Sequence, residues 1–250
     1  MARRTASPAS SNGTSSFDMQ ELKRRREWTP KRAGMKGGRR VLNVSVAFAV
    51  LAIAAPLMIL IGLLIKLTSR GPALFTQPRV GIDQRNGNRN RKRGRDTKEL
   101  RECDWGGRIF HIYKFRTMSD GADSEGQVWA SPDDPRVTPI GRILRSTRLD
   151  ELPQLLNVLK GEMNVVGPRP EQPEICAKLR DEIKEYPMRQ RVLPGITGWA
   201  QVNHSYDRSV DDVRRKVAFD LEYIERSSAF KDLEIMIRTP PVMLFRNGGW

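Results

Sequence analysis

Two adjacent carboxylates, Asp150 and Glu151, open an apolar run and follow three arginines, Arg142, Arg145 and Arg148. Two roles suit them. Acidic side chains at a helix start cap it and offset its dipole. An aspartate can also attack phosphorus and carry an acyl-phosphate while a neighbouring carboxylate holds a hard cation such as Mg2+. Successive helical residues diverge by roughly 100°, so the second role requires both groups to project into a cleft at the helix start. A basic set accompanies them: Lys114 and Arg116 in Lys114-Phe-Arg-Thr-Met118, and Arg169 in Gly167-Pro-Arg-Pro170. Guanidinium groups grip phosphate oxygens in pairs and stabilise charge on a phosphoryl group in transfer. Solvation or structural ion pairing is the alternative for each arginine. The proline-fixed turn around Arg169 favours a positioned role.

The elements that must hold these groups begin after residue 108. Ile109–Phe115 is rich in β-branched and aromatic residues and predicts a strand. Thr138-Pro139 is an N-cap followed by proline at the first helical position, and Ile140, Ile143, Leu144 and Thr147 follow at helical spacing. A second helix is expected from near Asp150, with Leu152, Leu155, Leu156 and Leu159 as its apolar stripe. Pro153 is tolerated in its first turn and Gly161 stops it. Gly167–Pro170 and Pro194–Gly198 are rigid turns. Residues 208–226 predict a charged helix with Val213, Val217, Leu221 and Ile224 on its buried face. The fold class expected is α/β, helix-rich, without internal repeats.

A chain of 250 residues can bury one sizeable core. Its net charge of +15 favours anionic partners, namely nucleic acid, acidic lipid or a phosphorylated substrate. No nucleic-acid motif and no aromatic interleaving accompany the basic runs, so nucleic acid is not expected. Cys103 and Cys176 lack metal or disulfide spacing, and His111 and His204 are isolated.

Residues 1–40 are rich in Ser, Gly, Lys and Arg and read as a disordered basic tail. The uncharged run Val41–Ile65 would be about 37 Å long as a helix, enough to cross a hydrocarbon core. It starts too late and runs too long for a signal peptide. Lys36, Arg39 and Arg40 precede it and Lys66 and Arg70 follow, so both flanks look cytoplasmic. Pro56 removes a donor mid-helix and permits a hairpin that re-enters one leaflet. On these features alone, an ordinary spanning helix with a tolerated proline is the simpler account. Residues 84–108 form a basic, Gly- and Asn-rich stretch placed to meet anionic lipid.

Taken together, these segments resemble the bacterial sugar transferases, the monotopic phosphoglycosyl transferases, over residues from about 40 to 245. The motifs, in the family's order, are Phe75-Thr-Gln-Pro-Arg-Val-Gly81, Lys114-Phe-Arg-Thr-Met118, Asp134-Pro-Arg-Val-Thr138, Leu149-Asp-Glu-Leu-Pro-Gln154, Asn157-Val-Leu-Lys-Gly-Glu-Met163, Val166-Gly-Pro-Arg-Pro170 and Pro194-Gly-Ile-Thr-Gly-Trp-Ala-Gln-Val202. The resemblance implies that Asp150 is a nucleophile toward the β-phosphorus of a UDP-sugar and that Glu151 binds Mg2+. UMP leaves, and undecaprenyl phosphate then takes the phosphosugar from Asp150. It further implies that Lys114, Arg145 and Arg169 neutralise phosphate, that Asp232 is an acidic site position, and that residues 41–67 form a re-entrant hairpin. The catalytic domain would then be 68–250, on the cytoplasmic face of the bacterial inner membrane, with a homo-oligomer allowed.

Three departures from the family pattern stand out. The family's helix breaks near a Ser-Pro pair, whereas this chain has Ala55-Pro56. Stretch 84–108 is longer than the usual turn and is expected to add anionic-lipid affinity as an insertion. Asn164-Val165 replaces a frequent Ser-Leu. A non-catalytic membrane scaffold that keeps the fold is the rival from another class, and loss of the Asp-Glu pair would have favoured it.

Overall fold

The computed structural model describes residues 37–83, 106–121, 134–204 and 209–245. Helix α1, Gly37–Thr68, is 32 residues long and apolar enough to cross a membrane. It starts four residues before the uncharged run because its first charges have partners in the folded domain. Arg39 is buried against Asp232, and Arg40 donates to the carbonyls of Val158, Leu159 and Met163. The assignment of Gly37–Arg40 to a disordered tail is therefore corrected. The remainder of that tail, and stretch 84–108 up to Trp105, lie outside the described residues. α1 stays helical through Pro56, the residue at which a break was expected. Its two ends are buried, at Ala47 and at Ile61 and Ile65, while Phe48, Ile53 and Ile59 between them face outward.

Strands β1 (Leu74–Val80) and β2 (Ile109–Phe115) pair antiparallel, from Leu74 opposite Phe115 to Val80 opposite Ile109. Directly opposed residues share a face, so Phe75, Gln77 and Arg79 lie on the same side as Lys114, Ile112 and Phe110. β2 buries Phe110 and Ile112 on one side and Phe115 on the other, while His111 is exposed. Phe110 and Ile112 pack with Ala47, Leu155, Val158 and Met163, and Phe115 packs with Ile61, Ile65 and Leu144.

α2 (Pro139–Thr147) starts as the sequence suggests, with the Thr138 hydroxyl accepting from Gly141 N at 3.0 Å. The helix expected from Asp150 is instead split. Leu149–Glu151 is a 3-10 turn and α3 is Gln154–Lys160. Proline at 153 has no N–H to continue a helical ladder, so regular α-helix begins only after it. Gly161 ends α3 with φ 84°. Within α3 the buried face carries Gln154, Leu155, Asn157 and Val158, and Leu156 and Leu159 are exposed rather than part of a buried stripe.

β3 (Asn164–Val166) pairs in parallel with β4 (Gly195–Thr197). Between them lie α4 (Pro173–Glu182) and a 3-10 segment, Tyr186–Arg191. α5 (Trp199–Asn203), α6 (Val210–Arg226) and α7 (Ala229–Phe245) complete the chain. The expected stripe of α6, Val213, Val217, Leu221 and Ile224, is buried around Tyr186, Val166 and Ile235. All described residues belong to one compact unit, Lys31–Trp250, a helix-rich α/β body with short strands.

Candidate active site

α2 stops at Arg148, whose φ of 59° is the only positive value at a non-glycine residue among those described. This left-handed step costs a β-carbon-bearing residue about 1 kcal/mol and persists only where the surroundings enforce it. It turns the chain inward. Asp150 and Glu151 follow on the 3-10 turn, both buried, 7% and 8% exposed.

Glu151 is the anchor of a cation cluster. Arg169 grips it in bidentate fashion, Nη1 to Oε2 at 3.0 Å and Nη2 to Oε1 at 2.6 Å. Lys114 Nζ lies 3.6 Å and Arg148 Nη1 3.5 Å from Oε1. Burial pushes the Glu151 carboxyl up, but Arg169, Lys114 and Arg148 outweigh it and hold the group well below the usual carboxylate range. Lys114 is pulled down by burial, and Glu151 opposes the shift. For Arg169 the Glu151 charge prevails over burial and the guanidinium is raised.

Asp150 is different. Its Oδ1 is buried without a hydrogen-bond partner. Burial and then the Glu151 charge push its carboxyl up, against Lys114, Arg169 and Arg148. A buried carboxylate with one unpartnered oxygen beside a concentration of positive charge has the surroundings that nucleophilic attack on an anionic electrophile requires. Arg145 supplies further charge. Its Nε donates to Thr117 Oγ1 at 2.9 Å, and the carboxylate of Asp150 opposes the lowering that burial imposes on it.

Arg169 is set by its turn. Gly167 N donates to Thr197 O at 2.9 Å and Gly195 N to Pro168 O at 3.0 Å. A β-carbon on Gly167 would meet Leu193 O at 2.4 Å, so the approach of the two turns requires glycine there. The Arg169 carbonyl accepts from Arg189 Nη2 at 3.1 Å, and Arg189 is itself pinned by Asp220 at 2.6 Å.

The structure thus joins Asp150, Glu151, Lys114, Arg145 and Arg169, and it places two other candidates elsewhere. Arg116 follows the last residue of β2, and its Nη2 donates to Ser69 O at 3.1 Å and Ser69 Oγ at 2.8 Å. Its Nη1 donates to Arg70 O, so it caps the end of α1 rather than facing Glu151. Asp232 is fully buried among Arg39, Asn43 and Tyr223, a structural knot between α1 and α7. One cation escaped the sequence reading. Arg79 shares the Lys114 face, its Nε is buried without a partner, and burial lowers its pKa while Glu171 and Glu151 oppose this. Its signal was strand alternation within Phe75–Gly81.

A sequence model described as Bacterial sugar transferase matches residues 35–246. The chain belongs to the bacterial sugar transferase family. Within it, the chain is 42% identical over 207 residues to the undecaprenyl-phosphate glucose phosphotransferase of Komagataeibacter xylinus, covering 80% of this chain and 35% of that protein. It is 39% identical over 201 residues to the UDP-N-acetylgalactosamine-undecaprenyl-phosphate N-acetylgalactosaminephosphotransferase of Aeromonas hydrophila, covering 80% and 42%. Against the UDP-glucose:undecaprenyl-phosphate glucose-1-phosphate transferase of Caulobacter vibrioides the figures are 40% over 208 residues, 82% and 69%. This bacterial sugar transferase therefore spans less than half the length of the first two relatives.

Proposed function

We propose that the chain transfers a sugar-1-phosphate from a UDP-sugar to undecaprenyl phosphate through a covalent intermediate on Asp150. One observation carries the reading: a buried carboxylate with an unpartnered oxygen stands beside a second carboxylate that gathers Arg169, Lys114 and Arg148. An Asp150 oxygen attacks the β-phosphorus, the bond from that phosphorus to the bridging oxygen breaks, and UMP departs. A phosphate oxygen of the polyprenyl acceptor then attacks the same phosphorus and releases Asp150 as a carboxylate. Dividing the transfer means that the water-soluble donor and the lipid acceptor need not share the site. Lys114, Arg145, Arg169 and Arg79 screen the diphosphate against the two carboxylates.

Magnesium fits this donor set. Among the described residues no three His, Cys, Asp or Glu side chains group around one point, but Mg2+ commonly takes one or two carboxylates and completes its shell with substrate phosphates and water. Glu151 would hold the ion in exchange for one of its two bonds to Arg169, leaving the bare Asp150 oxygen for attack, and the ion would neutralise charge on the diphosphate.

The same reading makes α1 a re-entrant hairpin at the cytoplasmic face of the inner membrane. A helix that spanned would leave its two ends on opposite sides of a core about 30 Å thick. Here both ends bury side chains in one folded body, Ala47 against Val158 and Met163, and Ile61 and Ile65 against Phe115 and Leu144, with the exposed apolar stretch between them. Lys66 and Arg70, exposed at the far end of α1, favour an anionic leaflet.

The test is intact-mass spectrometry of the full chain with Mg2+ and a panel of UDP-hexoses and UDP-N-acetylhexosamines, without acceptor. A phosphosugar increment with one donor, absent in Asp150→Asn, is expected. Absence of both the adduct and UMP release in the presence of polyprenyl phosphate would overturn the proposal in favour of a membrane scaffold.

A further inference from the structure

We infer that Asn43, in the second turn of α1, is a positioning residue for Arg169, so the start of the membrane helix helps to shape the active site. This rests on the transfer reading above. Among the described residues β3 has only β4 as a strand partner, through bonds such as Asn164 N to Pro194 O at 2.8 Å. Its outer edge is completed by a side chain. Asn43 Oδ1 accepts from Val165 N at 2.8 Å and from Val166 N at 3.3 Å.

The orientation of that amide is determined. Asn43 is fully buried, and its Nδ2 faces two acceptors, Arg39 O at 2.8 Å and Asp232 Oδ2 at 3.2 Å. The Val166 carbonyl, at 3.1 Å, is one of two acceptors for the single proton of the Tyr223 hydroxyl. Val166 is therefore bracketed on both backbone groups. Arg169 lies three residues further on, and the intervening Gly167 and Pro168 are bonded to β4. No slack separates the clamp from the guanidinium on Glu151. A polar side chain within an apolar membrane run is costly without fixed partners; packing alone would be served by leucine.

The test compares full-length variants in lipid nanodiscs by UMP release. Asn43→Leu removes the acceptor. Arg40→Ala frees the same helix end from the carbonyls of Val158, Leu159 and Met163, leaves the Asn43 bonds to Val165 and Val166 in place, and serves as the stability control. Misplacing a catalytic contact by about 1 Å can cost on the order of 100-fold, so a kcat loss of roughly 10- to 100-fold is expected for N43L, with R40A close to wild type. The double variant N43L/R169A should be no slower than R169A alone. Independently of turnover, amide exchange across 165–169 should accelerate in N43L and not in R40A; if N43L does not fold, Asn43→Ser replaces it. Equal kcat in N43L and R40A, multiplicative losses in the double variant, or unchanged exchange would each overturn the inference. A wild-type protein that releases no UMP would instead defeat the transfer reading and this inference with it.

Discussion

Removing the carboxylate of Asp232 should unfold the junction between α1 and the rest of the protein. Asp232 is fully buried and takes Arg39 Nε at 3.1 Å, Arg39 Nη2 at 3.1 Å, Asn43 Nδ2 at 3.2 Å and the Tyr223 hydroxyl at 2.7 Å. Asp232→Ala leaves the guanidinium of Arg39, 6% exposed, with a single side-chain partner, Tyr223. Breaking one half of a buried ion pair costs about 3–5 kcal/mol, because the remaining charge keeps its desolvation penalty without its attraction. Taking out both halves is far milder, so Arg39→Met/Asp232→Leu should recover most of the loss. Denaturant unfolding in a mild detergent, followed by tryptophan fluorescence, would measure both. A loss below about 1 kcal/mol for D232A, or additive losses in the double variant, would refute the knot. Wild-type stability combined with lost turnover would return Asp232 to the active site.

Two further outcomes rest on close contacts elsewhere in the fold. A β-carbon on Gly141 would stand 2.0 Å from Thr117 O, a backbone atom that cannot swing away. Gly141→Ala should therefore cost about 1–3 kcal/mol by overpacking and weaken the placement of Arg145 on Thr117, read as a lowered Tm and reduced turnover. Burial pushes Glu171 up, but Lys216, 2.7 Å away, and Arg189 outweigh it and bring its pKa from 4.5 down to about 2. A carboxyl lowered in the fold gives stability that is complete above 4.5 and disappears as pH falls toward about 2. The full shift corresponds to at most about 3 kcal/mol. Lys216→Met should flatten the acid limb of a Tm-versus-pH curve in that window, and an unchanged limb would contradict the pairing.

Legibility in the sequence followed the physics of each signal. The grouping of Asp150, Glu151, Lys114 and Arg169 had local signals, the adjacent acidic pair and the proline and glycine around Arg169. The strand Ile109–Phe115, the cap at Thr138 and the α6 stripe have the same local origin. Arg116 shares a motif with Lys114 but not its surroundings. One step past β2 the chain leaves the strand, and the guanidinium finds the unsatisfied carbonyls ending α1. Leu156 and Leu159 misled because helical spacing shows an apolar stripe without saying which side the protein body lies on.

The amino-terminal charges carry the deeper lesson. Arg39 and Arg40 signal orientation in a membrane only if they are free to sit among headgroups. Both instead spend their donors on this protein: Arg39 on Asp232 and Tyr223, Arg40 on the carbonyls at the end of α3. Their partners lie 118 to 193 residues away in the chain, beyond any local pattern. Asn43 was the one local clue, a polar amide three residues into an uncharged run, where an unsatisfied group is costly. It demanded a buried partner, and it finds Val165, Val166 and Asp232 in the folded body. The polar residues at the head of α1 therefore tie the helix to the same body that its other end, at Ile61 and Ile65, packs against.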